Sequence, residues 1–86
     1  MQIQTKFDVG DTIYIIYSNN EDMWCIKEVI ILGIKIFIEK REINIRNIRY
    51  DTQATRENTW INGAYEELCF SLLSEAQEEC DKRNGK

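Results

Sequence analysis

Residues able to do chemistry are few in this chain, and their spacing excludes more than it offers. Three cysteines, Cys25, Cys69 and Cys80, are present and histidine is absent. A nucleophilic hydroxyl or thiol needs a neighbouring base poised near neutral pH, usually an imidazole, so Ser-His and Cys-His machinery cannot be assembled from these residues alone. The cysteines are odd in number and form no C-x-x-C pair, which argues against a disulfide framework and against a zinc knuckle. They read as reduced, small hydrophobes, with Cys69 close enough to a helical pattern for thiolate activation to be considered. Gly10 is the next candidate. In "KFDVGDTIYIIYSNN", Lys6 to Asn20, it is followed by strand formers and lacks the further glycines and helix of a phosphate-binding loop. It reads instead as the turn, made with Asp11, that leads into a first strand while Phe7 and Val9 pack inward.

Charge supplies the remaining candidates. Up to Tyr50 the chain carries seven acidic and seven basic residues, so the whole net charge of -4 arises after it. Between Glu57 and Asp81 stand seven carboxylates (Glu57, Glu66, Glu67, Glu75, Glu78, Glu79 and Asp81) without one Lys or Arg. Such a block can present a negative surface to a basic partner. Its plainer reading is a solvated helix face. The run contains no calcium-loop or carboxylate-helix spacing, so no metal site and no cofactor are expected from it. Trp60 and Tyr65 flank "INGA" beside this block, and large aromatics there suit either interface anchors or a plug for a small core. The candidate partner-binding set is therefore Trp60, Tyr65, Glu66, Glu67, Glu75, Glu78 and Glu79. A competing set is basic. Lys35, Arg41, Arg46 and Arg49 could form a stripe for single-stranded nucleic acid, with Tyr50 or Phe37 as a stacking partner. Glu39 and Glu42 interrupt that stripe, and phosphate affinity rests on displaced counterions, which a net negative domain attracts weakly.

These residues must be positioned by a single small domain. At 86 residues the chain buries only roughly 60 to 65% of its unfolded surface, so strong apolar clusters belong to the core first. With 43% hydrophobic and 30% charged residues it has the balance of a soluble globular domain. Its longest apolar run, "VIILGIKIFI", is short and interrupted by Lys35, and "MQIQTKFD" lacks an export signal, so a cytoplasmic location is expected. "TIYIIY" predicts a strand over Thr12 to Tyr17, with "SNNED" turning the chain. From Trp24 to Ile38 the even positions are apolar except Glu28, which predicts one long strand bent at Gly33, a hairpin there being the alternative. "EKRE" reads as a polar reversal, and "INIRNIRY" as a strand with a bulge near Arg46 and Asn47. "DTQATRENT", Asp51 to Thr59, reads as an exposed loop, followed by a short extended piece over Trp60 to Asn62. Then the period changes. Leu72, Leu73, Ala76 and Cys80 recur at three and four, predicting a helix over about 71–84. Ser71 or Ser74 can cap it, Lys82 and Arg83 suit its negative end, and Asn84 with Gly85 stops it. The expected fold is α+β, mainly β: an SH3-like, small curled antiparallel sheet of four or five strands with one C-terminal helix.

The opening "FDVGDTIY" and the closing "EELCFSLLSEAQEECDKRN" resemble those of short phage and prophage proteins of low-GC Gram-positive bacteria. Their pattern is F-x-h-G-D-x-V (h, hydrophobic), an SH3-like barrel, and a closing segment that runs into a short helix ending in Asn. Phe7, Gly10, Asp11 and Ile13 match the opening, and Leu68, Phe70, Glu75 and Ala76 the close. The middle is unmatched, and Leu72 stands where a capping Ser or Thr would be. The resemblance implies a small barrel of mobile-element origin and transfers no site. Joined to the acidic, histidine-free composition, it leads to the expectation of a non-enzymatic binding protein in the bacterial host cell. Such a protein would act by protein-protein contact, as an anti-defence inhibitor of a host nuclease such as a CRISPR effector. A nucleic-acid-binding barrel is the alternative.

Overall fold

The computed structural model describes residues 4–36 and 48–85. Among these residues five strands form one antiparallel sheet: β1 (Thr12–Ser18), β2 (Trp24–Ile36), β3 (Ile48–Ala54), β4 (Trp60–Tyr65) and β5 (Cys69–Phe70), in the order β4-β3-β2-β1-β5. A 3-10 turn (Glu66–Leu68) links β4 to β5, and one helix, α1 (Leu73–Arg83), follows. This is the expected α+β, mainly β fold, with five strands and the helix at the C-terminal end. The reversal over "EKRE", the bulge near Arg46 and Asn47, and Arg41 and Arg46 themselves lie outside the described residues.

At β1 the sheet is covered on both faces, which explains why "TIYIIY" is apolar throughout. Ile13 and Ile15 point into the main core with Phe7, Val29, Ile31, Ile48, Tyr50, Ala64 and Cys69. Tyr14 and Ile16 point the other way, into a second cluster with Trp24, Ile26, Phe70, Ala76 and Cys80. That second cluster is the docking site of α1, whose buried residues are the small Ala76 and Cys80. Small side chains let a helix approach the strands closely, so a narrow apolar stripe is enough to hold it. Before Leu32 the even positions of β2 therefore do not face the main core: Val29 and Ile31, of odd parity, do, and after the register shift Ile34 packs against it. Trp24 is half-buried under α1.

Gly33 marks an irregularity in one continuous strand, not a hairpin. Ile31 pairs with Thr52 and Gly33 with Asp51, so Leu32 is an extra residue, turned outward. Two other expectations need correction. The loop expected over Asp51 to Thr59 is confined to residues 55–59, since β3 continues to Ala54 and buries Tyr50, Thr52 and Ala54 in strict alternation. The inward positions after Tyr50 are small or hydroxylated, and Thr52 donates its hydroxyl to the Ile61 carbonyl, so hydropathy misses a real period of two. β4 likewise extends through Tyr65 in place of ending at Asn62.

Local chemistry sets the corners. Gly10 has φ +95°, its N–H donates to the Ile31 carbonyl at 2.8 Å, and Asp11 accepts the Asp8 N–H at 2.9 Å. Phe7 is buried beside Tyr50, but Val9 is exposed at this turn. The "SNNED" turn is held by the Asn19 side chain, whose carbonyl accepts from the Glu21 and Met23 amides. Helix α1 begins at Leu72 without a side-chain cap, so neither serine takes that role. Ser71 reaches Glu75 instead. At the other end Asn84 and Gly85 stop the helix as expected, Gly85 with φ +77°. Among the described residues no helix is long and apolar enough to cross a membrane.

Candidate interaction surface

The outward face of β2, β3 and β4 gathers the largest set of candidates. Antiparallel pairing places Cα partners on the same side of a sheet. Lys35, Arg49 and Tyr65 therefore form one cross-strand row, and Ile30, Gln53 and Trp60 form another. Between them Asp51 stands opposite Gly33 and beside the one-residue bulge at Asn62 and Gly63. Gly63 takes φ +73° there, which puts its N–H 2.9 Å from Asp51 Oδ1. Lys35 Nζ lies 3.2 Å from Asp51 Oδ2. The Arg49 guanidinium sits 4.6 Å from the centroid of the Tyr65 ring, a cation-π arrangement that fixes both side chains. The result is an outward face with an anchored carboxylate at its centre, cations along one row, and an aromatic on each row.

Trp60 and Tyr65 remain 51% and 42% exposed. They plug no core, and alternation explains why. Ile61 and Ala64 are the β4 residues turned inward, opposite Thr52 and Tyr50. The bulge returns Tyr65 to the same outward side as Trp60.

The carboxylates of the candidate set are dispersed. Glu66 is engaged inside the domain: its Oε2 accepts from the Tyr50 hydroxyl at 2.5 Å and from the Lys6 amide at 3.0 Å. The Tyr50 oxygen accepts in turn from the Phe7 amide, so Glu66 pins the chain ahead of β1 to the core. Burial first, and then the bond to Glu66, push the Tyr50 phenol above its ordinary pKa. Glu79 pairs with Arg83 at 3.0 Å, and Arg83 lies over the Trp24 ring at 4.5 Å. Glu67, Glu75 and Glu78 are exposed. Because α1 lies on β1, β2 and β5, the acidic helix and the β4 aromatics stand on different parts of the sheet. Tyr65 is brought to the basic residues Arg49 and Lys35, two sets that sequence reasoning had kept apart.

The cysteines behave as the composition implied. All three are free, Cys69 and Cys80 are buried, and burial raises the Cys69 thiol to about 12, with Glu66 adding to the rise. Cys69 lies in β5, not at a helix start, and its thiol donates to the Tyr65 carbonyl. Among the described residues no cluster of three or more potential metal ligands occurs. Asp51 escaped the sequence reading as a site residue, and Asn84, read there as a helix stop, also bonds the Trp24 backbone. For Asp51 the available signal was a lone carboxylate alternating with Tyr50, Thr52 and Ala54. Comparison with known protein families, curated proteins and solved structures finds no match for this chain.

Proposed function

We propose that the chain is a non-enzymatic binding domain that works by protein-protein contact, occupying a surface on a larger partner in the bacterial cytoplasm. The observation that carries this reading is the outward pair Trp60 and Tyr65, with Arg49 stacked on the latter. Large apolar side chains left half in water forgo about half of the roughly 1.5 to 3 kcal/mol that full burial supplies. Trp, Tyr and Arg are also the residues that most often dominate binding energy once a partner desolvates them. Exposed Glu67, Glu75 and Glu78 add negative charge that steers a basic partner toward the domain. A nucleic-acid-processing protein has such a basic surface, and the phage-type resemblance suits an inhibitor of a host nuclease such as a CRISPR effector.

Affinity capture from host lysate tests this. Wild-type chain retains a partner, and the Trp60→Ala, Tyr65→Ala double variant loses it by a factor of about ten or more. Reversal at Glu75 and Glu78 slows association and reduces its salt dependence. Capture that is indifferent to the two aromatics refutes the reading. One observation favours the second reading, a nucleic-acid-binding barrel: Lys35, Arg49 and Tyr65 share a row, as a stacking platform requires. Asp51 at its centre opposes phosphate. Tight low-salt binding of single-stranded RNA or DNA, abolished by Arg49→Glu, would establish that alternative.

A further inference from the structure

Hydrogen-bond accounting along β2 leads to a different surface. In an antiparallel ladder successive residues address their N–H and C=O groups alternately to one neighbour and the other. The Met23 carbonyl accepts from Asn19 at 2.9 Å, and the Ile31 amide donates to Asp11 at 3.0 Å, both toward the β1 side. Residues of that odd parity therefore serve β1, and Trp24, Ile26, Glu28 and Ile30 address the opposite side. There Ile30 meets Gln53, and the Glu28 carbonyl accepts from the Thr55 amide at 3.1 Å. β3 has ended by then. Trp24 is completed by Asn84, whose carboxamide accepts from the Trp24 amide at 2.8 Å and donates to its carbonyl at 3.1 Å. Between these two closures the N–H and C=O of Ile26 have no protein partner among the described residues.

That gap opens into a solvent-facing cleft of about 390 Å³, lined among others by Tyr14, Ile26, Lys27, Arg56, Leu73 and Gln77. Tyr14, Ile26 and Leu73 give it an apolar floor and wall. Of its charges, Lys27 and Glu57 neutralise each other at 3.1 Å, and the Glu28 carboxylate accepts the Thr55 hydroxyl at 2.6 Å. The charged side chains of the lining, Lys27, Arg56, Glu28 and Glu57, sum to zero, and exposed Arg56 is the cation among them without an ion-pair partner among the described residues. The cleft thus offers one strand-type donor and acceptor, an apolar rest, and one cation free to pair with a ligand.

We propose that this cleft takes an extended peptide segment of a partner protein. The peptide exchanges one pair of backbone hydrogen bonds with Ile26, rests an apolar side chain on Tyr14 and Leu73, and sets a carboxylate against Arg56. The stretch from Trp24 to Glu28 spans about 13 Å, so the segment held is on the order of three or four residues. This site is separate from the Trp60 and Tyr65 face, and either can fail without the other.

The test is selection of random peptides displayed against the full-length chain, followed by titration of the best synthetic peptide into isotope-labelled protein. The expected result is an enriched acidic residue one or two positions from an apolar one, and amide shifts at Ile26, Glu28, Arg56 and Gln77. Cross-strand contacts to Ile26 should appear. Arg56→Glu should weaken the selected peptide about tenfold, the change in one partly shielded charge pair replaced by repulsion. Leu73→Lys, at an exposed site, is the second variant and should weaken it also. No enrichment, shifts confined to the Trp60 and Tyr65 face, affinity indifferent to Arg56→Glu, or concentration-dependent dimerisation through this edge would each overturn the proposal.

Discussion

Replacing Asn84 by Ala tests how the helix is tied to the sheet. Its carboxamide stands in for a strand residue opposite Trp24, accepting at 2.8 Å and donating at 3.1 Å. Removing it deletes two neutral hydrogen bonds, each worth about 1 kcal/mol net, and strands one backbone donor and one acceptor. Trp24 is half-buried, so water recovers part of that loss, and the expected cost is about 1.5 kcal/mol. For a domain of this size, with a urea m-value of about 1 kcal/mol/M, the unfolding midpoint should fall by about 1.5 M at unchanged m. The thermal midpoint should fall by roughly 6 to 12 °C. Hydrogen exchange supplies a local readout, since the Trp24 amide loses its acceptor while Cys25 and Lys27, bonded to β1, keep theirs. Asn84→Asp preserves the acceptor but turns an oxygen toward the Trp24 carbonyl and adds negative charge at the negative end of α1. It should cost at least as much as Ala above the carboxylate pKa. An Asn84→Ala protein within about 0.3 kcal/mol of wild type, or a Trp24 amide that exchanges no faster, refutes the reasoning.

Alkaline titration and a backbone substitution supply two further outcomes. Burial holds the Cys69 thiol up at about 12, and the Tyr50 phenol is raised as well, so the fold favours both protonated forms. The unfolded chain releases these protons from about pH 8.5 and 10 onward. Stability is therefore full below pH 8 and falls above it, by up to about 1.4 kcal/mol per pH unit for each group. Under reducing conditions Cys69→Ala should flatten the decline between about pH 9 and 10, and an unchanged slope would refute the assignment. Gly63→Ala forces a side chain into φ +73° and should cost about 1 to 2 kcal/mol, read from denaturant unfolding. Neutrality at that site would mean that the bulge relaxes and that the Asp51 contact is dispensable.

How far the sequence could be read depended on which signal each element carried. The β1 pattern, the Gly10 corner and the α1 periodicity rest on local chemistry, and all were legible. The length of β3 was not, because its inward residues after Tyr50 are Thr52 and Ala54, which carry strand alternation without hydrophobicity. The parity of β2 misled because its first half is covered on both faces, by the core and by α1, and because the extra residue Leu32 returns Ile34, of even parity, to the core. Sites were legible as residue types and illegible as neighbours. Tyr65, Arg49 and Lys35 are 16 and 14 residues apart in sequence, and only strand register makes them a row.

The acidic run that dominates the sequence is divided by the fold into different tasks. Glu57 is paired with Lys27, which lowers its pKa, Glu66 binds Tyr50 and the Lys6 amide, and Glu79 holds Arg83 against Trp24. Asp81 accepts from Gln77. Of the seven carboxylates, Glu67 and Glu78 are exposed without such a contact among the described residues, and Glu75, also exposed, takes only the Ser71 hydroxyl. Three exposed charges act mainly on the rate of encounter, and salt screens them within about 10 Å. Persistence of a complex must then come from desolvated contact, which directs attention from the charge to the aromatics. If the proposed partner complex exists, it should form more slowly in high salt yet dissociate at nearly the same rate, while loss of Trp60 and Tyr65 should act on dissociation.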